Sequence, residues 1–303
     1  MSNLLITLFI VSDLLLPSIW AKNIQEKYVS LEPNTKTQKV ILTKGKQIEL
    51  SNLPVKNSEQ IFYTNLSDTL FAIDLNTNFV LLDKNSYSKV PMASLTKLMT
   101  AYLTFENLQL DDIATVSQFN LSSEESYMGL FPGEKISIRD LLYGLLVESA
   151  GDAAIILGRE ISDTDLKFVS RMNETAKKIG LTSTNFENPS GVDSPSHYSS
   201  ARDLATLARI LLNDNEFKNI VKTKEFDAKS TSGYIHHLAN TNKLLDNGMI
   251  FGVKTGKTNL AGECLITLAR IKNHDVLIIV MGSKNRFTET TNIISWIGSS
   301  YVW

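Results

Sequence analysis

Three short motifs of polar residues occur in one order along the chain, and each could supply a part of an acyl-transfer reaction. They are Ser-Leu-Thr-Lys at residues 94–97, Ser-Ala-Gly at 149–151 and Lys-Thr-Gly at 254–256. A serine hydroxyl is a weak nucleophile until a base takes its proton, and a lysine three residues later lies on the same face of a helix. The first motif therefore predicts Ser94 as a nucleophile and Lys97 as its base.

The other two motifs could protonate the leaving group and bind the substrate. The hydroxyl of Ser149 could relay a proton to a leaving amine. A strand that carries Lys254, Thr255 and Gly256 could hold a substrate carboxylate and turn its backbone amides toward the reacting carbonyl. Together the motifs predict a serine acyl-enzyme that uses no histidine, no metal and no cofactor.

The elements that position these residues can be predicted from apolar patterns. The first motif continues into a helix with one apolar face, and the third lies in a strand-like run that two more such runs follow, at 264–269 and 276–281. Two earlier strands are predicted at 69–75 and 79–83, joined by a turn at 76–78.

Between these strand-rich ends the chain is predicted to be helical. Apolar residues recur at helical spacing over 138–146, 153–157 and 204–211, the last after a helix-start signal at 199–200. A final helix is predicted over about 288–297. This arrangement favours an α+β fold in which the first and last strands meet in one antiparallel sheet.

Composition and charge restrict the possible partners. The chain has 303 residues, of which 43% are hydrophobic and 20% charged, enough for one large core or two smaller subdomains. The net charge of −2 gives no reason to expect nucleic acid as a partner. The single cysteine, Cys264, excludes an internal disulfide and a multi-cysteine metal site, and its apolar surroundings predict a buried thiol.

Residues 1–21 have the pattern of a signal peptide or an N-terminal anchor. An apolar run at 4–11 has signal-peptide length, and Ala21 lies where cleavage would occur. No basic residue precedes the run, and Asp13 interrupts its extension, which is costly for a helix that stays in lipid. A cleaved signal is favoured over a retained anchor, and both predict an extracytoplasmic protein, whether periplasmic, secreted or membrane-anchored.

Residues 22–58 are polar and rich in Lys, Asn, Gln and Thr. They are predicted to form either a linker or a small β appendage, for which short alternating stretches at 40–42 and 48–50 would supply the strands.

From about Ser67 to the C-terminus the chain resembles the low-molecular-mass penicillin-binding D-alanyl-D-alanine carboxypeptidases, a family of serine peptidases. The similar stretches lie at 71–74, 91–102, 141–154, 188–191, 197–204, 240–245, 252–258 and 261–262. The resemblance implies the β-lactamase/transpeptidase-like fold, with a five-stranded antiparallel sheet flanked by helices and an all-helical lobe. The active site would lie between sheet and lobe, and residues 59–303 would form the catalytic domain.

The resemblance also implies roles for individual residues. Lys254 and Thr255 would bind the terminal carboxylate of the substrate, and the backbone N–H groups of Ser94 and Lys257 would form the oxyanion hole. The alternative roles are structural, since Ser94 could cap a helix and Ser149 could end the helix that precedes it.

The histidines are expected to take no part in the chemistry. His197 is interpreted as structural, and His236, His237 and His274 as loop or surface residues.

Gly151 departs from the family pattern, in which the second motif is Ser-X-Asn. The asparagine amide can bond both the lysine base and the peptide carbonyl of the substrate, and glycine can do neither. Loss of one positioned polar contact costs roughly 1–3 kcal/mol, so activity is expected to be reduced or rebuilt rather than abolished. A second explanation is that the backbone at this position needs a conformation that only glycine adopts easily.

The function that the resemblance implies is removal of the terminal D-alanine from peptidoglycan stem peptides by a serine-type D-Ala-D-Ala carboxypeptidase, with β-lactams as covalent inhibitors. The alternatives are a β-lactamase or peptidoglycan endopeptidase of the same fold, or a penicillin- or peptidoglycan-binding module whose catalysis has decayed at Gly151. Longer members of the family carry a C-terminal β-rich domain and an amphipathic membrane-binding helix. Two strands and a helix account for the residues after Gly256, so we expect neither, and membrane contact only through the N-terminal segment.

Overall fold

The structure is a computed structural model that describes residues 39–41, 47–49, 53–59, 61–62, 64 and 66–303. The predicted signal peptide or anchor at 1–21 lies outside the described residues, as does most of the polar segment at 22–58. Within the described part of the chain, none of the helices combines the length and the apolar character that crossing a membrane requires.

The chain forms thirteen strands and seven α-helices in the described ranges. The strands are β1 Lys39–Ile41, β2 Gln47–Glu49, β3 Val55–Lys56, β4 Thr69–Asp74, β5 Val80–Lys84, β6 Ile113–Thr115, β7 Lys135–Ser137, β8 Glu225–Lys229, β9 Ile235–Ala239, β10 Ile250–Thr258, β11 Gly262–Ile271, β12 His274–Ser283 and β13 Tyr301–Val302. The helices are α1 Lys97–Asn107, α2 Ile138–Tyr143, α3 Gly151–Ser162, α4 Asp165–Lys178, α5 Ala201–Leu211, α6 Asn215–Lys222 and α7 Arg286–Ser300.

The main sheet has five antiparallel strands in the order β10, β11, β12, β4, β5. The first strands of the fold thus pair with the last, as the sequence predicts, because β12 lies beside β4 with Ile278 opposite Ala72. β12 is apolar on both faces, since alternate residues of a strand point to opposite sides. Leu277 and Ile279 pack toward the helical lobe, and Ile278 packs toward α7.

The helical lobe packs against the other face of the sheet around a core of large apolar side chains. These include Leu98, Met99, Leu142, Leu146, Leu157, Phe168 and Met172, all buried. The predicted start signal of α5 is confirmed, because the Ser200 hydroxyl accepts the backbone N–H of Asp203 at 3.2 Å. The helix predicted over 288–297 is confirmed as α7, which packs on β11 and β12.

The helix predicted over 138–146 is interrupted in the structure. α2 ends at Tyr143 and a π-helical turn, Gly144–Glu148, follows it. Ser149 then adopts a left-handed conformation with φ 65°, and the N–H of Ala150 returns to the carbonyl of Gly144 at 2.9 Å. Such turns are frequent at functional sites, and this one turns the second motif out of the helix.

Two small pairings lie before the main sheet. β1 and β2 pair in antiparallel fashion, at the two alternating stretches that the sequence picks out. β3 pairs with β13, so residues 55–56 lie beside the C-terminal strand.

Candidate active site

The first motif lies where a short 3-10 helix, Ala93–Thr96, runs into α1. Lys97 points back along this turn, and its Nζ donates to Ser94 Oγ at 3.0 Å and to the carbonyl of Ser190 at 2.6 Å. The structure therefore places Ser94 and Lys97 within direct hydrogen-bond distance, the arrangement that nucleophile and base require.

Burial changes the pKa of the Lys97 ammonium group. The residue is only 1% exposed, and loss of hydration lowers its pKa from 10.5 to about 8. The carboxylates of Glu125 and Asp152 act in the opposite direction and raise the pKa. A lysine with a pKa of about 8 is neutral in a useful fraction near neutral pH, so it can accept a proton from Ser94.

The third motif faces Ser94 from β10, the edge strand of the main sheet. Lys254 is buried, and its Nζ donates to the carbonyl of Thr255 at 3.1 Å. Burial, followed by the charges of Lys97 and Arg286, holds the pKa of Lys254 well below its usual range. The hydroxyl of Thr255 lies 2.5 Å from that of Thr241. A buried cation and a positioned hydroxyl at one place suit an anionic group of a ligand.

Ser149 joins the same cleft from the opposite wall. It lines the cleft together with Ser94, Ser190, Thr255 and Gly256, and it is almost fully buried. Its left-handed backbone also ends the helical segment. The backbone thus fits the structural role that the sequence leaves open for Ser149, and the proton-relay role stays a prediction that its place in the cleft allows.

The sequence profile of the D-alanyl-D-alanine carboxypeptidase family of serine peptidases matches residues 54–285, most of the chain. This chain belongs to that family. It is 33% identical over 238 residues to D-alanyl-D-alanine carboxypeptidase DacF of Bacillus subtilis, a match that covers 76% of this chain and 61% of the relative. It is 34% identical over 241 residues to DacC of Escherichia coli, covering 74% of this chain and 59% of the relative. The chain thus spans about three-fifths of the length of these two relatives.

Solved structures agree with this assignment. The crystal structure of a Streptomyces DD-transpeptidase has a TM-score of 0.74 and 29% identity, and the match covers 79% of this chain and 100% of that one. A D-alanyl-D-alanine carboxypeptidase from Mycobacterium tuberculosis has a TM-score of 0.73 and 26% identity, over 80% of this chain. The predicted family and the predicted β-lactamase/transpeptidase-like fold are both confirmed.

Arg286 is a cleft residue that the motif analysis missed. It is the first residue of α7, and its Nη1 donates to the carbonyl of Gly256 at 2.5 Å. Its Nε is buried and has no hydrogen-bond partner in the described part of the chain. Because Arg286 follows the motif by thirty residues, no local spacing indicated it. The available signal was a basic residue three positions after the end of β12, which lies two strands from β10 in the sheet.

The turn at 188–191 packs against the backbone at Ser94. The Asn188 side-chain oxygen accepts the backbone N–H groups of Ser190, Gly191 and Val192 at 3.2, 2.7 and 3.2 Å. Gly191 has φ +96°, and a Cβ there would overlap the carbonyl of Ala93 and lie 2.8 Å from the backbone nitrogen of Ser94. This glycine therefore allows two backbones to approach each other at the nucleophile.

We expect Gly191→Ala to push the Ser94 turn out of place and to slow acylation by roughly 100-fold, the order of effect that a small displacement of a reacting group can have. Gly233→Ala is the matched control, since Gly233 has φ +90° with nothing within 4 Å of its Cβ position. Both variants carry the same backbone strain, which thermal unfolding measures. Equal acylation rates in the two variants would contradict the close-approach explanation.

Two histidines, His197 and His236, are buried. The Nδ1 of His197 accepts the backbone N–H of Glu187 at 3.0 Å, so its Nε2 donates to Thr96 Oγ1 at 2.6 Å. Burial lowers the pKa of His197 to about 4, and the neutral ring ties the middle of the first motif to the 187–197 segment.

The expectation that His236 lies in a loop or at the surface is wrong. His236 lies in β9 and is buried, with Nε2 2.6 Å from Glu134 and Nδ1 3.0 Å from the carbonyl of Met128. Glu134 and Met128 lie about a hundred residues earlier in the chain, and together they satisfy both ring nitrogens of His236. The residues next to His236 in the sequence gave no sign of these partners. His237, the next residue, is exposed as expected.

Two further features of the site bear on its chemistry. Cys264 is buried as predicted, and burial raises the pKa of its thiol to about 11, which disfavours a reactive thiolate. Among the described residues, none of the clusters of His, Cys, Asp and Glu has the three members that a metal site would need.

Proposed function

We propose that the protein is a serine-type D-Ala-D-Ala carboxypeptidase that removes the terminal D-alanine from peptidoglycan stem peptides outside the cytoplasmic membrane, and that β-lactams inhibit it. The observation that carries this proposal is the cleft itself. A buried lysine of lowered pKa lies 3.0 Å from Ser94 Oγ. Thr255 and Arg286 line the same cleft, and the buried Lys254 precedes Thr255 on β10.

In the proposed acylation step, neutral Lys97 takes the proton of Ser94 while Ser94 Oγ attacks the carbonyl carbon of the penultimate D-alanine. The backbone N–H groups of Ser94 and Lys257 would stabilise the resulting oxyanion. The C–N bond then breaks as Ser149 relays the proton from the Lys97 ammonium to the departing amine, which returns Lys97 to its neutral form. The terminal D-alanine leaves, with its carboxylate released from Lys254, Thr255 and Arg286.

In deacylation, water attacks the Ser94 ester and gives a proton to neutral Lys97, which passes it to Ser94 Oγ as the ester bond breaks. The free hydroxyl, neutral Lys97 and the shortened peptide result. A β-lactam would acylate Ser94 by the same attack on its ring amide. The amine that forms stays covalently attached to the acyl group, so it does not diffuse away as D-alanine does. This difference supports stable inhibition by the same machinery.

The proposal is tested by following a fluorescent penicillin on the protein over time, together with D-alanine release from an acylated peptide that ends in D-Ala-D-Ala. A stable label with release of D-alanine is the expected result. Rapid loss of the label would indicate a β-lactamase, and cleavage of crosslinked peptides without D-alanine release would indicate an endopeptidase. Absence of both label and release would indicate a decayed binding module.

The pH dependence of acylation follows from the state of Lys97. We expect the rate of penicillin acylation to rise with pH through a midpoint near 8, because the lysine must lose its proton before it can accept one from Ser94. Stopped-flow measurement of label formation over a pH series checks this. A rate that falls through this range would contradict Lys97 as the base.

Thermal unfolding in the same buffers is the control. The folded-state pKa of Lys97 lies below its unfolded value, so its contribution to the free energy of unfolding grows as pH rises from about 8 toward 10.5. A rise in the acylation rate below about pH 8 therefore comes from deprotonation of Lys97, because the stability that Lys97 contributes does not yet change there.

A further inference from the structure

The space at Gly151 is occupied by a side chain from a distant loop. A Cβ built at Gly151 would overlap Glu125 Oε1 and would lie 3.0 Å from its Cδ and 3.2 Å from Leu121 Cδ2. From standard bond lengths, Oε1 lies about as far from that Cβ position as the amide oxygen of an asparagine lies from its own Cβ. The Glu125 carboxylate thus stands in the region where the family's asparagine amide would be.

The backbone does not explain the glycine. Gly151 is the first residue of α3, and its φ is not positive. Of the two explanations that the sequence leaves open, a backbone that needs glycine is therefore not the one that the structure supports. What the glycine provides is room for Glu125.

The loop that carries Glu125 is fixed to the start of α3. The N–H of Gly151 donates to the carbonyl of Ser126 at 2.8 Å. The next residue, Asp152, is buried, and its carboxylate accepts the backbone N–H groups of Met128, Gly129 and Leu130 at 3.1, 3.0 and 3.0 Å. These bonds hold the loop in register with the second motif, so the position of Glu125 is built into the fold.

One oxygen of Glu125 is left without a partner. Oε2 accepts the backbone N–H of Ser122 at 3.1 Å, whereas Oε1 is buried and accepts no hydrogen bond from any residue that the structure describes. Burial of a carboxylate oxygen without a donor is costly, so Oε1 can accept a hydrogen bond from a group that enters or forms in the cleft. Glu125 lines the cleft with Ser94 and Ser149, and Lys97 is the cation on which its charge acts.

We propose that Glu125 replaces the second-motif asparagine as the positioning residue for Lys97, stabilising the ammonium that forms when Lys97 takes the proton of Ser94. This inference rests on the proposed acyl-enzyme function. A carboxylate accepts hydrogen bonds but does not donate them when ionised. Among the described residues, Lys97 Nζ bonds Ser94 Oγ and the Ser190 carbonyl, and no hydrogen bond joins it to Glu125. Glu125 therefore takes over the stabilisation of the lysine through its charge. It leaves the substrate's peptide carbonyl without the amide donor that asparagine would supply.

The first test is Glu125→Gln, which keeps the shape and removes the charge. Lys97 also faces Asp152, which raises its pKa, as well as the charge of Lys254 and the ring of His197. Only the Glu125 charge changes in this variant, so we expect the midpoint of the acylation profile to move to lower pH, since a carboxylate that raises the lysine pKa has been removed. A purely structural role would leave the midpoint in place.

Glu124→Gln is the matched control. Glu124 is the neighbouring carboxylate, is exposed, and accepts a hydrogen bond from Asn259 Nδ2 at 2.9 Å. The carboxylates that raise the Lys97 pKa against the effect of burial are those of Glu125 and Asp152. We therefore expect the midpoint in Glu124→Gln to equal that of the unaltered protein.

The second test is a double-mutant cycle between positions 125 and 151. Gly151→Asn alone should slow acylation, because its Cβ displaces Glu125 while the carboxylate still occupies the amide position. Glu125→Ala combined with Gly151→Asn frees that space, and we expect the double variant to acylate roughly 10-fold faster than the two single effects predict by addition. Thermal unfolding of all four proteins shows whether each is folded at the assay temperature.

The outcomes separate the two proposals. If the unaltered protein takes no penicillin label, the proposed function fails and this inference fails with it. If it is labelled but Glu125→Gln leaves the midpoint unmoved, or if Gly151→Asn alone accelerates acylation as much as the double variant does, the role of Glu125 is overturned and the proposed function stands.

Discussion

Ser94→Ala is expected to abolish both penicillin labelling and D-alanine release, lowering each by roughly 10⁴-fold or to background, because the atom that forms the acyl bond is gone. Ser94 Oγ is the hydroxyl that Lys97 Nζ contacts at 3.0 Å. The side chain is small and lies in a 3-10 turn, so its loss should leave the fold intact. Mass spectrometry of the protein after incubation with penicillin measures the covalent adduct directly.

Ser126→Ala is the control for this experiment. Ser126 lines the same cleft but is exposed, and its bond to Gly151 uses the backbone carbonyl, which the substitution keeps. Adduct formation in this variant should match the unaltered protein. Turnover that persists in folded Ser94→Ala protein would assign the nucleophile to another residue.

The main sheet and its helices could be predicted because their signals are local and repeated. β11 and β12 are long apolar runs, and β12 is apolar on both faces because α7 covers one face and the helical lobe the other. The short turn between β4 and β5, and the serine that caps α5, are likewise encoded within a few residues. The contact between Ser94 and Lys97 was predictable for the same reason, since residues three apart lie on the same side of a helical turn.

The rest of the site depends on contacts between distant residues, which a single sequence does not reveal. Glu125 lies beside Gly151 because Asp152 bonds the loop that follows Glu125, and Arg286 donates to the carbonyl of Gly256. Neither pair has a short spacing in the sequence that would predict its contact. His236 was misplaced for the same reason, since the partner that makes its burial favourable lies about a hundred residues earlier in the chain.

The departure at Gly151 shows what such contacts change in an argument from motifs. Taken alone, the glycine indicates a lost amide and a weakened enzyme. The structure places a carboxylate from another segment in the vacated region, and its charge raises the pKa of a lysine that burial lowers. A motif position without a side chain can thus be filled by a side chain from a distant part of the chain.

Lys97→Arg should reduce acylation by roughly 10³-fold or more, which is within the usual contribution of a general base. A guanidinium keeps its proton at any workable pH, so the variant retains a cation and loses the base. The larger group must also fit between Ser94 Oγ and the carbonyl of Ser190, where the ammonium makes contacts of 3.0 and 2.6 Å. The rate of penicillin acylation, measured over the pH range of the lysine titration, should show no rise with pH.

Lys97→Met separates loss of the base from damage to the fold. Its unbranched apolar side chain fits a buried site, and it removes the ammonium whose charged form burial disfavours. We therefore expect Lys97→Met to be inactive yet at least as resistant to thermal unfolding at neutral pH as the unaltered protein. If Lys97→Arg acylates at a normal rate while Lys97→Met does not, the position needs a cation and not a base. The proton of Ser94 must then go to another acceptor in the cleft, for which Glu125 is a candidate because its Oε1 has no partner among the described residues.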